Sequence, residues 1–224
     1  MSINTMKLSS FFEHGALKHG LPSIAYTDDG FLQAECDTLF TDNWVFVGFA
    51  HELVHPGDAN PITVAGKPVV LINNAQGEIG AFHNACSHRC LKLVDKPMNV
   101  GAMLCCPYHA WTYNLDGDLC ATPFFGGKQH HPEGFEMSEH GLKSIRLAVW
   151  HDWIFINLSG DAPEFEEYAA PLIKHLDGIN FEQIDPVATL DFGDVSCNWK
   201  FLIENFIEPY HVQFVHRTTT NQPL

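Results

Sequence analysis

The sequence predicts an α+β fold, an antiparallel β domain framed by helical segments, and three observations carry that prediction. Between Trp44 and about Leu158, short runs rich in β-branched and aromatic residues alternate with turn signals. Before and after that block, apolar residues recur at helical spacing. No internal repeat of roughly 20–50 residues is present, which excludes solenoids and propellers.

The elements follow in order. In DGFLQAECDTLF, Leu32, Cys36, Leu39 and Phe40 fall on one helical face behind acidic residues, so a helix should open the folded part. The β block is punctuated at Ala65-Gly66-Lys67, Ala75-Gln76-Gly77 and Asp116-Gly117. Its last two runs, Ile145 to Trp150 and Trp153 to Leu158, are joined by His151-Asp152 and read as a hairpin. Beyond Ser159, Asp161 and Glu164 form a capping-box pattern, and Pro171 should divide the helical segment that follows. Pro186 to Phe192 reads as a strand. The last segment, NWKFLIENFIEPYHVQFVH, places Trp199, Leu202, Ile203 and Phe206 on one helical face. These readings divide the chain into a helical start (1–43), a β domain (44–160) and the opening of a second domain (161–224).

Charge and composition narrow the function. The chain has 224 residues with 27 acidic and 12 basic side chains, a net charge of −15 that disfavours nucleic acid and anionic membrane surfaces as partners. Its apolar stretches are too short to span a membrane, and the first residues lack a continuous apolar signal region, so a cytoplasmic location is expected. Seven cysteines, an odd number in a reducing compartment, point to metal ligands and free thiols over a disulfide framework.

Two constellations carry chemistry. Cys86-Ser87-His88 is followed after 17 residues by Cys106-Pro107-Tyr108-His109, so each half offers one thiolate and one imidazole. A zinc finger pairs cysteine with cysteine and histidine with histidine. Mixed pairs suit a two-iron cluster with both thiolates on one iron and both imidazoles on the other. CSHR and CPYHAWTYNLDGDL resemble the cluster loops of Rieske-type proteins, in particular the large (α) subunits of ring-hydroxylating oxygenases. The resemblance implies a 2Fe-2S cluster with Cys86 and Cys106 on one iron and His88 and His109 on the other. It also implies that Trp111 packs beside the second loop and that Asp116-Gly117 turns the hairpin behind it. Cys90 stands where the family usually has glycine, so this loop must either adopt an ordinary backbone or strain Cys90. Cys36, Cys105, Cys120 and Cys197 read as small buried hydrophobes. The loop ATPFFGGKQHHPEGF, with its His130-His131 pair, reads as surface beside the cluster.

The second constellation gathers Asn205, Glu208, Tyr210, His211 and His216. The segment resembles the E-N-x-x-D/E-x-Y-H-x4-H stretch that supplies two histidines of a mononuclear non-haem iron in the same oxygenases. By that resemblance His211 and His216 ligate Fe(II), Glu208 links the iron site to a cluster, and Asn205 and Tyr210 stand around them. Five residues apart on a regular helix, the two histidines would point about 140° apart. Pro209 lacks an N–H and crowds the preceding turn, so the helix should be kinked, bulged or ended between Glu208 and His216. Residues 217–224 contain no acid, so the third ligand is expected beyond this chain, which reads as the first part of a longer subunit and inactive alone.

The resemblance thus implies the terminal oxygenase component of a multicomponent system that hydroxylates or demethylates a small organic substrate with dioxygen. Electrons would come from NAD(P)H through a reductase or ferredoxin. It further implies a homotrimer, with or without a small β subunit, in which Glu208 connects His211 of its own chain to His109 of the neighbour. An aromatic ring, a quaternary amine and an aryl ether all stay open as substrate. Two other readings compete. A Rieske electron carrier without its own oxygenase site leaves Glu208, His211 and His216 without a role, and a zinc-stabilised binding module would be colourless.

Overall fold

The computed structural model describes residues 20–127, 131–188, 190, 193–216 and 218. They divide into two compact units, Glu35–Pro186 and the residues up to Ala34 with those from Val187 onward.

The first unit is antiparallel throughout, as the alternating runs require. Strands β1 (Val45–Phe49), β2 (Asp58–Val64), β3 (Lys67–Asn73), β4 (Ile79–His83), β5 (Met98–Asn99), β9 (Ser144–Trp150) and β10 (Trp153–Asn157) form a seven-stranded sheet in the order β1-β10-β9-β4-β3-β2-β5. A second sheet holds β6 (Met103–Cys105), β7 (Thr112–Asn114) and β8 (Leu119–Ala121) in that order. Ala65 and Gly66 turn β2 into β3 with φ of 50° and 72°, the primed hairpin geometry that matches strand twist. The expected hairpin of β9 and β10 turns at His151, φ 56°.

Strand β3 separates two cores. Because successive side chains point to opposite faces, Val70 and Ile72 pack with Cys86, Cys106, Trp111 and Tyr113. Val69 and Leu71 pack with Ile145, Ile154 and Ile156 on the other face. All four β3 side chains are fully buried, so this strand reads as a continuous apolar run.

Several expectations are corrected here. The capping box of Asp161 and Glu164 does not form: Glu164 is itself the N-cap of the helix Phe165–Tyr168, and its carboxylate pairs with Arg146 at 3.0 Å. Arg146 also donates to the Gly160 and Ala162 carbonyls, so the guanidinium claims this turn. Pro171 does divide the segment, sitting in the first turn of the helix Ala170–His175. Trp44 donates to the Pro163 carbonyl at 2.9 Å and packs edge-on against Phe165, which carries the β unit past residue 160. The predicted strand from Pro186 is absent among the described residues. Residues 186–188 and 190 have no regular structure, Val187 is 99% exposed, and no strand pairs with them. Thr189, Asp191 and Phe192 lie outside the described residues.

The predicted opening helix is present as Asp29–Asp37 and Leu39–Asp42, broken where Thr38 leaves helical geometry. A short helix, Ile24–Thr27, precedes it. In the second unit, the helix Trp199–Ile207 is N-capped by Asn198, whose side chain accepts from the Lys200 N–H at 3.1 Å. Tyr26 stacks on Phe201 at 4.6 Å and its hydroxyl donates to Glu204 at 2.5 Å. The apolar face read from the sequence is not buried in this unit, where Phe206 is 83% exposed and Leu202 and Ile203 are also open. Periodicity marks a face as apolar but supplies no partner for it.

Gly117 shows what the turn behind the second sheet demands: its φ is 87°, and a Cβ there would lie 2.5 Å from the Phe82 ring. Gly77 has a similar φ, 85°, with open space around it. Gly117→Ala should therefore cost roughly 2–3 kcal/mol and Gly77→Ala about 1 kcal/mol, read from urea denaturation midpoints. Equal losses would refute the close-approach argument.

Candidate metal centres

Two loops share one backbone shape. After β4 the Cys86 N–H donates to the Leu91 carbonyl and the Cys90 N–H to the Cys86 carbonyl, both at 2.8 Å. After β6 the Cys106 N–H donates to the Trp111 carbonyl at 2.8 Å and the Ala110 N–H to the Cys106 carbonyl at 2.9 Å. Each loop closes through a left-handed residue four positions after its cysteine, Cys90 at φ 54° and Ala110 at φ 56°. Of the two alternatives for Cys90, the loop adopts the strained one.

The loops bring their four side chains to one end of the β unit. Both cysteines are buried. The His88 and His109 rings lie 4.7 Å apart, and His88 stacks on Trp111 at 4.8 Å with an interplanar angle of 10°. His109 faces outward while His88 is partly covered. His88 Nδ1 is buried without a hydrogen-bond partner. A buried ring nitrogen left unpaired is costly, and a metal at that atom satisfies it. Burial holds the His88 pKa below its ordinary value, with His109 and Arg89 adding to the effect, so the imidazole is kept in the neutral form that ligates. Burial pushes the Cys106 thiol up, opposed by the backbone N–H groups of Tyr108 and His109 that point at the sulfur. The residues present fit a 2Fe-2S cluster, and Cys86, His88, Cys106 and His109 would hold it.

Around them lies a network the sequence reading missed. The Tyr113 hydroxyl sits 3.2 Å from Cys86 Sγ and accepts from the Ser87 N–H at 3.0 Å. Ser87 Oγ lies 2.8 Å from the same hydroxyl and donates to the His140 carbonyl at 2.6 Å. Once Cys86 is a thiolate, Tyr113 can only donate to it. Strand alternation puts Tyr113 on the side of Trp111, two residues before it, but its partners Cys86 and Ser87 lie 27 and 26 residues away and left no local signal. The loop read as surface contributes Phe125 and Phe135 against Trp111, and Phe125 reaches His88 at 5.8 Å. Its His131 bonds Thr122 at 2.7 Å, and His130 lies outside the described residues. The four cysteines expected to be buried hydrophobes are not buried: Cys36 is half-exposed, and Cys105, Cys120 and Cys197 are exposed. Cys105 and Cys120 alternate with the buried Leu104, Cys106 and Leu119 and so point outward.

In the second unit the helix ends at Ile207. Glu208 is extended (φ −109°, ψ 126°), Pro209 follows, and one further turn, Val212–Val215, is flanked by His211 and His216. The expected interruption is thus present, ahead of both histidines; the single turn between them ends where His216 leaves helical geometry (φ −102°, ψ 29°), and the two imidazole centroids lie 5.4 Å apart. Glu208 accepts from His211 Nδ1 at 2.5 Å and from the Tyr210 N–H at 2.8 Å. The bond from His211 is the main cause of a Glu208 pKa below the usual carboxylate range. With Nδ1 committed, His211 keeps Nε2 for a metal, the carboxylate–histidine arrangement common around ligating imidazoles. Tyr210 joins through its backbone, while its ring packs on Phe214 and Asn205 is exposed on the helix. Among the described residues no three His, Cys, Asp or Glu side chains converge on one ion.

The sequence matches the Rieske 2Fe-2S domain over residues 43–132 and the ring hydroxylating alpha subunit catalytic domain over residues 149–223. It is 32% identical over 203 residues to the glycine betaine monooxygenase oxygenase subunit of Chromohalobacter salexigens, covering 91% of this chain and 44% of that one. It is 29% identical to the salicylate 5-hydroxylase large oxygenase component of a Ralstonia species, covering 88% and 48%. Among solved structures, a quaternary ammonium Rieske monooxygenase superposes with a TM-score of 0.81 at 25% identity, covering 92% of this chain and 56% of that one. The chain thus spans about half the length of the curated relatives it matches.

Two outcomes follow from the loop geometry. Cys90→Gly should raise stability by roughly 0.5–1 kcal/mol in urea denaturation without changing the iron content, because glycine relieves the left-handed strain; a loss of stability would contradict it. In protein carrying two irons and two labile sulfides, Tyr113→Phe should lower the reduction potential by about 60 mV, one hydrogen bond's worth of about 1.4 kcal/mol in a one-electron couple. An unchanged voltammetric midpoint would show that Tyr113 does not donate to the ligating sulfur.

Proposed function

Since this chain belongs to the Rieske non-haem iron oxygenases, we propose that it is the N-terminal part of the terminal oxygenase component of a multicomponent system. In this reading it takes electrons from NAD(P)H through a reductase or ferredoxin and uses dioxygen to hydroxylate or demethylate a small organic substrate. The observation that supports it best is the Glu208–His211 hydrogen bond beside His216. An electron carrier needs only the two cluster loops and leaves that trio without work.

Fe(II) held by His211, His216 and a carboxylate from beyond this chain would supply dioxygen activation. The chain's own residues do the rest. Glu208 holds the His211 ring in one tautomer and keeps its Nε2 directed away. His109, exposed at the tip of the second loop, is the imidazole through which electrons can enter or leave. In a homotrimer, with or without a β subunit, Glu208 would accept a second bond from His109 of the neighbouring subunit and so join cluster to iron across the interface. Asn205 and Tyr210 would line the space around the iron. The helical start packs with the catalytic part in this reading, supported by the bond between Tyr26 and Glu204. No helix among the described residues is long and apolar enough to cross a membrane, and a cytoplasmic location is proposed on the free cysteines.

For the substrate, a quaternary ammonium compound is favoured, on the glycine betaine relative and the quaternary ammonium structure. The salicylate relative supports an aromatic substrate as the second reading. Aromatic compound catabolism belongs to that second reading. The full subunit supplied with a reductase should turn over glycine betaine or carnitine, and oxidation of salicylate in their place would favour the second reading. Glu208→Gln in that subunit should keep the cluster spectrum and iron content while turnover falls on the order of 10–100-fold. Near-wild-type turnover would remove Glu208 from the electron path.

A further inference from the structure

A cavity of about 550 Å³ opens beside the first cysteine loop, and Lys67, His83 and Lys143 all line it. Strand order makes them converge. Lys67 begins β3, His83 ends β4 and Lys143 immediately precedes β9, and these strands are neighbours in the order β9-β4-β3. The His83 N–H donates to the Lys143 carbonyl at 2.9 Å, and Val69 pairs with His83. Three basic side chains therefore meet at one end of three adjacent strands, next to Cys86 and Cys90.

The charge balance there opposes that of the chain. Glu139 is the one carboxylate lining the cavity, in a protein whose net charge is −15. The Lys67 ammonium spends one donor on Thr41 Oγ1 at 3.0 Å and keeps two. Lys143 is exposed and makes no ion pair among the described residues. After burial itself, the charges of Lys143 and Lys67 are what lower the His83 pKa, so both ammonium groups are felt at the cavity wall. Like charges held together repel, and an anion between them removes the cost.

We propose that this cavity binds a small organic anion through its carboxylate or phosphate group, held between Lys67 and Lys143 beside the Cys86 loop. The volume lies in the range of small-molecule sites and exceeds what one inserted acidic side chain needs, which favours a free molecule over an acidic protein surface. An anion there adds negative charge next to a cluster ligand, so occupancy lowers the potential of a cluster held by Cys86.

The test is calorimetric titration of the full chain with inorganic phosphate and with citrate at constant ionic strength, alongside the voltammetric midpoint with and without the better binder. Saturable binding at one site per chain is expected, weakened about tenfold in Lys143→Gln, unchanged in Lys96→Gln, a lysine that does not line the cavity, and accompanied by a lowered midpoint. Lys67→Gln also loses the Thr41 bond, so the exposed Lys143 variant carries the decision. The proposal is overturned by the absence of saturation below about 10 mM, or by equal affinity in Lys143→Gln. Binding of an acidic peptide with neither small anion bound would also overturn it, in favour of a protein-docking face.

Discussion

The structure is organised around placing two thiols and one side of an imidazole in an apolar core. Cys86, Cys106 and Trp111 are buried together, and His88 Nδ1 has no protein partner. Without a ligand at those atoms the arrangement is a liability, because buried polar groups cost free energy when unpaired. With a cluster there, the same burial excludes water and leaves Tyr113 and the backbone N–H groups to tune the sulfur atoms. The two-sided burial of β3 serves this end, since Val70 and Ile72 form the floor under the loops while Val69 and Leu71 anchor the strand from behind.

That burial is achieved by repeating one loop. A cysteine N–H reaching five residues ahead and a carbonyl receiving from four residues ahead produce two matching fingers. Each finger needs a left-handed residue, and this protein places Cys90 and Ala110 there. The strain of roughly 1–2 kcal/mol at each is tolerated because the surrounding sheet fixes the ends of both loops. Asymmetry enters only through the neighbours: Trp111 and Phe125 cover His88, while His109 is left facing solvent. One imidazole is thereby partly covered and the other is open to solvent.

The second site rests on a different device. Pro209 denies the helix an N–H and Glu208 turns the chain extended, so the long helix ends before both histidines, which flank one separate turn with their ring centroids 5.4 Å apart. The residue at which the helix ends also orients one of the rings through its carboxylate, so backbone interruption and ring orientation meet at Glu208.

The candidate ligand types and their order, the antiparallel strands, the hairpin at His151 and the break at Pro209 were all legible in the sequence, because each depends on residues a few positions apart. Spacing, turn chemistry and the missing proline N–H act locally and leave local marks. The Tyr113–Ser87–His140 network, the pairing of Arg146 with Glu164 in place of a capping box, and the convergence of Lys67, His83 and Lys143 were not legible. Each joins residues far apart in the chain, and their meeting is set by strand order and register. The failed strand at Pro186 and the uncovered face of the helix at Trp199 make the same point from the other side. A pattern states what a segment could bury, whereas only the tertiary structure decides which surface, if any, is there to bury it.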